Sequence, residues 1–220
     1  MSFDALAPHY RWMEWLLAGR KLQRCRTAFL RDIPAPRHAL LLGEGNGRFL
    51  AEFLAAHPLT EVTCVDASAQ MLARARMRLE SHRIDPASVN FVCADVFAWS
   101  PPQERFDLIV SHFFLDCFQP EQLDQIVTAV SHSASRDAQW LLADFREPVS
   151  GPARWRARVI LRSMYFFFRR VTGLTGSRVT PPESYFPAHG FALRERLLSE
   201  WGLLHSDWWT RGVVSRPANS

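Results

Sequence analysis

The residues best placed to do chemistry stand where apolar runs stop. Ala39–Leu42 ends on three glycines at alternate positions, Gly43, Gly45 and Gly47, with Glu44 and Asn46 between them. Glycine takes positive φ freely and lets a ligand come close to the backbone. At the carboxyl end of the first strand of an open α/β sheet, such a turn is where a nucleotide-like ligand sits. A dinucleotide fingerprint needs its third glycine at position 48, and that residue is Arg48, which disfavours a pyrophosphate. Asp66 closes the next apolar run, EVTCVD, 19 residues after Gly47. A carboxylate there accepts both ribose hydroxyl hydrogens of an adenosine. Asp95 follows the third run, Val89–Cys93, where it can accept from an adenine amino group, with Met71 or Val96 flanking the ring. Ala67 and Ser111, at neighbouring strand ends, and Tyr10 in the front segment complete the expected cofactor-binding set. Each acid alone could equally cap a helix or a turn. Placed in order at successive strand ends, they point to an adenosine without a pyrophosphate.

A second polar group follows the fourth and fifth runs. His112 and Asp116 come after Phe106–Ser111, and Asp144 closes Gln139–Ala143, with Glu147 beyond it. Tyr165, Tyr185 and His189 stand in segments expected to cover this end. All are candidate general bases for an acceptor that must lose a proton; Asp144, His112 and Asp116 are the first choices. Each also has a structural reading: His112 as a core histidine, Asp116 as a turn cap, Asp144 as a cap or a partner for Arg146. Aromatic side chains crowd the same part of the chain, among them Phe113, Phe114, Phe118 and Phe166–Phe168. They imply a small hydrophobic or aromatic acceptor, and ring faces also attract a neighbouring cation by about 0.5–2 kcal/mol.

Strands and helices must position these groups. Short, near-continuous apolar runs alternate with helical patterns: a helix near Arg48–Ala56, another over Ala67–Ser81, a third over Glu121–Ser131. That alternation predicts βαβ units and a parallel sheet. Residues 2–31 read as two helices divided at Gly19 and ended by Pro34 and Pro36. A helix is expected near Pro182–His189, and Phe191–Ser199 with Leu203–Thr210 read as a closing hairpin around Gly202. Residues 153–171 form a long helix with Arg154, Arg158, Arg162 and Arg169 on one stripe. It can be a lid packed on the sheet, or a peripheral membrane contact with arginines at headgroups.

Composition narrows the classes. The 220 residues suit one domain with an ample core. No apolar run approaches the roughly 18 residues of a membrane span, and no signal peptide is read at the start. The scattered Cys25, Cys64, Cys93 and Cys117 read as free thiols of a reducing compartment; their spacing makes a zinc site improbable and no metal is expected. A cytoplasmic location follows, with membrane-peripheral as the alternative. Lys21 is the only lysine, so the net charge of +4 is carried by arginine. That excess suits either phosphate attraction or the codon bias of a GC-rich genome.

The segments LLLGEGNGRF, VTCVDAS, VCADVF and FDLIVSHFFLDCF resemble the successive motifs of class I S-adenosylmethionine-dependent methyltransferases, over about residues 38–145. The front segment and LLADFREP are similar to ubiquinone/menaquinone-biosynthesis-type small-molecule methyltransferases. The resemblance implies S-adenosylmethionine as cofactor and a Rossmann-like seven-stranded sheet, mostly parallel with its last strand antiparallel, with helices on both faces. It divides a single domain, 1–220, into an N-terminal helical cap (1–36), a cofactor-binding core (37–150), an acceptor-side lid (151–190) and the hairpin (191–212). The family's usual acid two residues before the first glycine is replaced by Leu41, and Glu44 is the candidate substitute for holding the methionine amino group. Nucleic acid is not expected as a partner, because SHFF stands where amino-directed nucleic-acid enzymes carry an N-P-P-Y-like motif. The alternatives are an RNA or protein methyltransferase, or a non-catalytic nucleoside-binding relative.

Overall fold

The computed structural model describes residues 19–148, 150–172 and 181–212, and of residues 163–172 the backbone course alone. Tyr10, the expected front helix before residue 19, the side chain of Tyr165 and the tail from Arg216 lie outside the described residues.

The elements in order are α1 (Gly19–Arg26), β1 (His38–Leu42), α2 (Arg48–Ala56), β2 (Glu61–Asp66), α3 (Ala69–Ser81), β3 (Val89–Cys93), β4 (Phe106–His112), α4 (Pro120–Ser133), β5 (Ala134–Phe145), α5 (Gly151–Thr172), β6 (Phe191–Ser199) and β7 (Leu204–Arg211). The seven strands form one sheet in the order β3-β2-β1-β4-β5-β7-β6. Strands β1 to β5 pair in parallel, while β7 runs antiparallel between β5 and β6. The expected Rossmann-like α/β sheet with an antiparallel last strand is therefore present. The order reverses between β1 and β4, which is the crevice where ligands of open α/β sheets bind.

Alternation along the strands sends side chains to two faces. One face packs Leu41, Val110 and Leu141 against Phe29, Phe49 and Phe53 of the α1–α3 side. The other packs Leu40, Ile109, Trp140 and Trp209 against Ile126 of α4 and Phe186. The helix patterns held: α2 buries Phe49, Leu50, Phe53 and Leu54, and α3 buries Met71, Leu72, Ala75 and Leu79. Helix α3 starts at Ala69, later than expected, because Ser68 is its cap, accepting from Met71 N at 3.2 Å. Helix α4 starts on Pro120, whose missing N–H costs nothing at a first helical position.

Two further expectations changed. Strand β5 begins at Ala134 rather than Gln139, since Ala134 pairs with Phe106 and sheet neighbours outweigh the poor strand propensity of Ser135–Asp137. The expected helix at Pro182–His189 is instead two 3₁₀ turns, Pro182–Ser184 and Phe186–His189; Pro187 removes a donor that a continuous helix needs. Among the described residues no helix is long and apolar enough to cross a membrane.

Candidate active site

The glycine loop is shaped by three left-handed residues. Gly43, Gly45 and Gly47 have φ of 61°, 68° and 76°. A side chain fails at two of them for want of room as well. A Cβ on Gly43 would lie 2.2 Å from the Phe114 ring, and one on Gly47 would lie 2.8 Å from Ala75 Cα. At Gly45 nothing lies within 4 Å of that position. A side chain at the middle of the loop would thus meet no other atom, although Gly45 itself is buried.

Side chains then lock the loop to the strand ends. Asp66 Oδ2 accepts from Gly45 N at 3.0 Å and Oδ1 from Ser68 N at 2.8 Å. Glu44 Oε1 accepts from Phe49 N at 2.9 Å and Leu50 N at 3.1 Å, so this carboxylate caps α2 from inside the loop. Burial pushes its pKa up to about 7 despite the nearby Arg26 charge. Arg78 Nε donates to Asn46 O at 2.9 Å. Asp95 is exposed and takes Phe97 N at 3.0 Å, while Val96 packs on the α4 side of the sheet. Met71 is buried, and Ala67 is exposed beside Asp66. These residues gather at the β1–β3 ends. Ser111 does not join them: it is fully buried, and its hydroxyl accepts from Trp140 Nε1 at 2.8 Å. The reason is strand alternation, which turns Ser111 into the α4-side core.

The acids that follow β4 and end β5 meet. Asp144 Oδ2 accepts from Asp116 N at 3.2 Å, and Oδ1 accepts from Phe145 N at 2.8 Å. The two carboxyls are also in contact with each other. Burial pushes Asp116 up to about 6. Burial and the Asp116 charge raise Asp144 well above the usual carboxylate range. Two buried carboxyls in contact cannot both ionise easily, so the pair retains a proton near neutrality. Cys117 Sγ donates to Asp116 Oδ1 at 3.5 Å. His112 faces the other way, edge-on to Phe49 with ring centroids 4.6 Å apart. Its Nδ1 is buried without a partner, and burial lowers its pKa, so it is neutral. Among the described residues the other base candidates are engaged. Glu147 Oε1 accepts from Arg154 and Arg158, Tyr185 Oη donates to Pro120 O, and His189 contacts Thr128.

Sequence reasoning missed Arg26. It is 7 % exposed, lies over the Phe113 ring at 5.3 Å, and its charge acts on both Glu44 and His112. A signal existed: residues 22, 25, 26 and 29 share one helical face, and Arg26 is the charge on an otherwise apolar stripe. Phe113, at the end of β4, has φ 53°, an outlier held where Phe113 N donates to Ala143 O at 2.7 Å. Such strain tends to cluster at functional sites. A separate cleft of about 590 Å³, between Glu61, Asn90, Trp99 and Arg105, lies at the opposite ends of the strands. Among the described residues no cluster of three His, Cys, Asp or Glu is set to hold a metal ion.

The comparisons agree with this geometry. The family profile described as a methyltransferase domain matches residues 39–137. Trans-aconitate 2-methyltransferase of Acidovorax sp. (strain JS42) is 41% identical over 68 residues, 31% of this chain and 24% of that protein. Malonyl-(acyl-carrier protein) O-methyltransferase of Halorhodospira halophila is 33% identical over 117 residues, 52% of this chain and 37% of that protein. The chain thus spans between a quarter and two-fifths of the length of these relatives. The structure of the mitomycin 7-O-methyltransferase MmcR superposes with a TM-score of 0.69 at 16% identity, covering 96% of this chain and 61% of that one. The N-methyltransferase NodS from Bradyrhizobium japonicum WM9, in complex with S-adenosyl-L-homocysteine, gives 0.60 at 14% identity over 87% and 84%. Residues 39–137 of this chain thus match a methyltransferase domain, and the strand order and glycine loop around them are those of a Rossmann-like α/β fold.

Proposed function

We infer that the protein transfers the methyl group of S-adenosylmethionine to a small hydrophobic or aromatic acceptor. The observation that carries this is the Asp66–Gly45 tie at 3.0 Å, which sets a carboxylate against the glycine loop at the switch point of the sheet. The donor set fits the cofactor. Asp66 takes the ribose hydroxyls, Asp95 the adenine amino group, and Met71 and Val96 flank the base. The buried Arg26 guanidinium suits the methionine carboxylate. Glu44, engaged at α2, has one oxygen left for the amino group in place of the acid missing at Leu41.

When bound, the cofactor supplies a methyl activated on a sulfonium. The chain's part is mainly alignment, a contribution of up to about 7–11 kcal/mol. Phe113, Phe114 and Phe118 wall the acceptor side and keep water away. An acceptor that loses a proton gives it to the Asp116 carboxylate of the Asp116–Asp144 pair, while Asp144 holds the retained proton. His112, neutral and on the other face, serves as a wall rather than as a base. Titration calorimetry with S-adenosylmethionine, followed by labelled-methyl transfer to a panel of phenols, amines and lipids, tests this. No heat, or heat unchanged in Asp66→Ala, ends the reading.

Peripheral membrane contact through residues 153–171 keeps one support. Trp155 and Val159 on α5 are 73% and 46% exposed, and Trp201 at the β6–β7 turn is 77% exposed.

A further inference from the structure

His205 is 1% exposed, and neither of its ring nitrogens has a hydrogen-bond partner. Buried polar atoms are nearly always paired, so two orphans on one ring need an account. The ring sits at a telling address. His205 is the second residue of β7, and its register partner on β5 is Asp144; on its other flank lies Leu198 of β6. Cross-strand partners project to the same face. His205 therefore shares a face with Asp144, at the carboxyl end of β5, where the acceptor belongs.

The segment after α5 covers that face. Phe186 packs on Trp140 and Trp209 with centroids at 4.4 and 5.0 Å. Glu183 reaches down so that Oε1 meets Arg196 Nη2 at 3.4 Å, while its Oε2 is buried without a partner. The Glu183 charge acts on the His205 ring. Arg196 links Glu183 to Asp207, which lies two residues along β7 from His205 on the same face, so three orphan polar atoms, two on an imidazole and one on a carboxylate, belong to one connected cluster.

The charges facing the ring set what fits there. Asp207 and Arg196 neutralise one another, through contacts of 2.7 and 2.5 Å. Arg146 adds a positive charge. Against it stand Glu183 and the single negative charge of the Asp116–Asp144 pair, so the balance is negative. A carboxylate is repelled. A neutral hydroxyl is matched: it donates to Glu183 Oε2 and accepts from the protonated ring nitrogen of His205.

Resting on the methyltransferase reading above, we propose that His205 and Glu183 form a polar subsite of the acceptor pocket that recognises a neutral hydroxyl on an aromatic acceptor and rejects a carboxylate. The matched family domain ends at residue 137, before either residue, so the acidic names of the curated relatives do not carry over to this subsite.

The test uses the full chain saturated with S-adenosylhomocysteine and three probes of one shape: 2-naphthol, 2-naphthoate and naphthalene. Calorimetry should show 2-naphthol binding about tenfold tighter than either of the others. Both Glu183→Gln and His205→Leu should erase most of the preference over naphthalene, and Glu183→Gln should in addition admit 2-naphthoate. His205→Leu should melt at or above the wild-type temperature, because it removes two unpaired polar atoms; a histidine with a structural partner would melt lower on replacement. The proposal is overturned by naphthoate binding as well as naphthol, by a preference unchanged in both variants, or by no probe binding while S-adenosylhomocysteine binds. Failure of S-adenosylhomocysteine itself to bind overturns the methyltransferase reading, and the subsite with it.

Discussion

Asp66 Oδ2 and the amide of Gly45 are 3.0 Å apart, a bond that joins the end of β2 to the middle of the glycine loop after β1. It places the carboxylate proposed to bind ribose against the loop glycine at which a Cβ would meet no other atom. Replacing Asp66 by Ala is expected to lower S-adenosylmethionine affinity about 10- to 100-fold, as for a lost charged hydrogen bond, with a small change in melting temperature. Calorimetry on the variant checks it; unchanged affinity removes Asp66 from the site.

The three loop glycines separate by kind. Gly47→Ala drives a methyl against Ala75 Cα at a φ of 76°, and should cost about 2–4 kcal/mol of stability. Gly45→Ala meets open space, so its cost is the φ penalty of about 1–2 kcal/mol, and its larger effect should be on cofactor binding. Urea unfolding with parallel cofactor titration distinguishes the two; equal losses of stability would count against the loop geometry.

Protonation of the Asp116–Asp144 pair favours the fold. Both carboxyls are raised from their unfolded values, Asp116 to about 6. Their stabilisation is complete below the unfolded carboxylate pKa; the Asp116 part is lost as pH rises through about 6 and the Asp144 part at higher pH. Asp116→Asn should therefore raise the melting temperature relative to wild type at pH 8 and not at pH 4. Melting curves at the two values check this.

Arg26 lowers the His112 pKa, second to burial. Arg26→Met should raise that pKa and weaken S-adenosylmethionine binding about tenfold, the loss of one charge-assisted contact. NMR titration of the His112 ring, with calorimetry alongside, measures both effects. No movement of the histidine signal would show that the guanidinium is remote from it.

Peripheral membrane contact predicts co-sedimentation with anionic vesicles. Arg154 and Arg158 are both bonded to Glu147, so the double change Trp155→Ala with Trp201→Ala should reduce sedimentation more than Arg154→Ala with Arg158→Ala. Absence of sedimentation ends the idea.

Much of this was legible in the chain because it is local. An apolar run stopped by glycine specifies a strand and a turn, and the order of Gly43–Gly47, Asp66 and Asp95 at successive strand ends is legible whatever the rest of the protein does. Helical faces such as Met71, Leu72, Ala75 and Leu79 are equally local, since period alone decides which side is buried. Tertiary structure decided what depends on pairing across distance. Only the β4–β5 register could bring Asp116 to Asp144, and only strand alternation could turn Ser111 into the core and His112 away from the acids. The antiparallel insertion of β7 beside β5 set His205 against Asp144, 61 residues apart in the chain, and no periodicity or motif encodes that neighbour. The burial of charge was also decided by the tertiary structure: Asp144 is a candidate base in the sequence, but that it is 0% exposed and protonates easily follows only from the sheet and helices that exclude water around it.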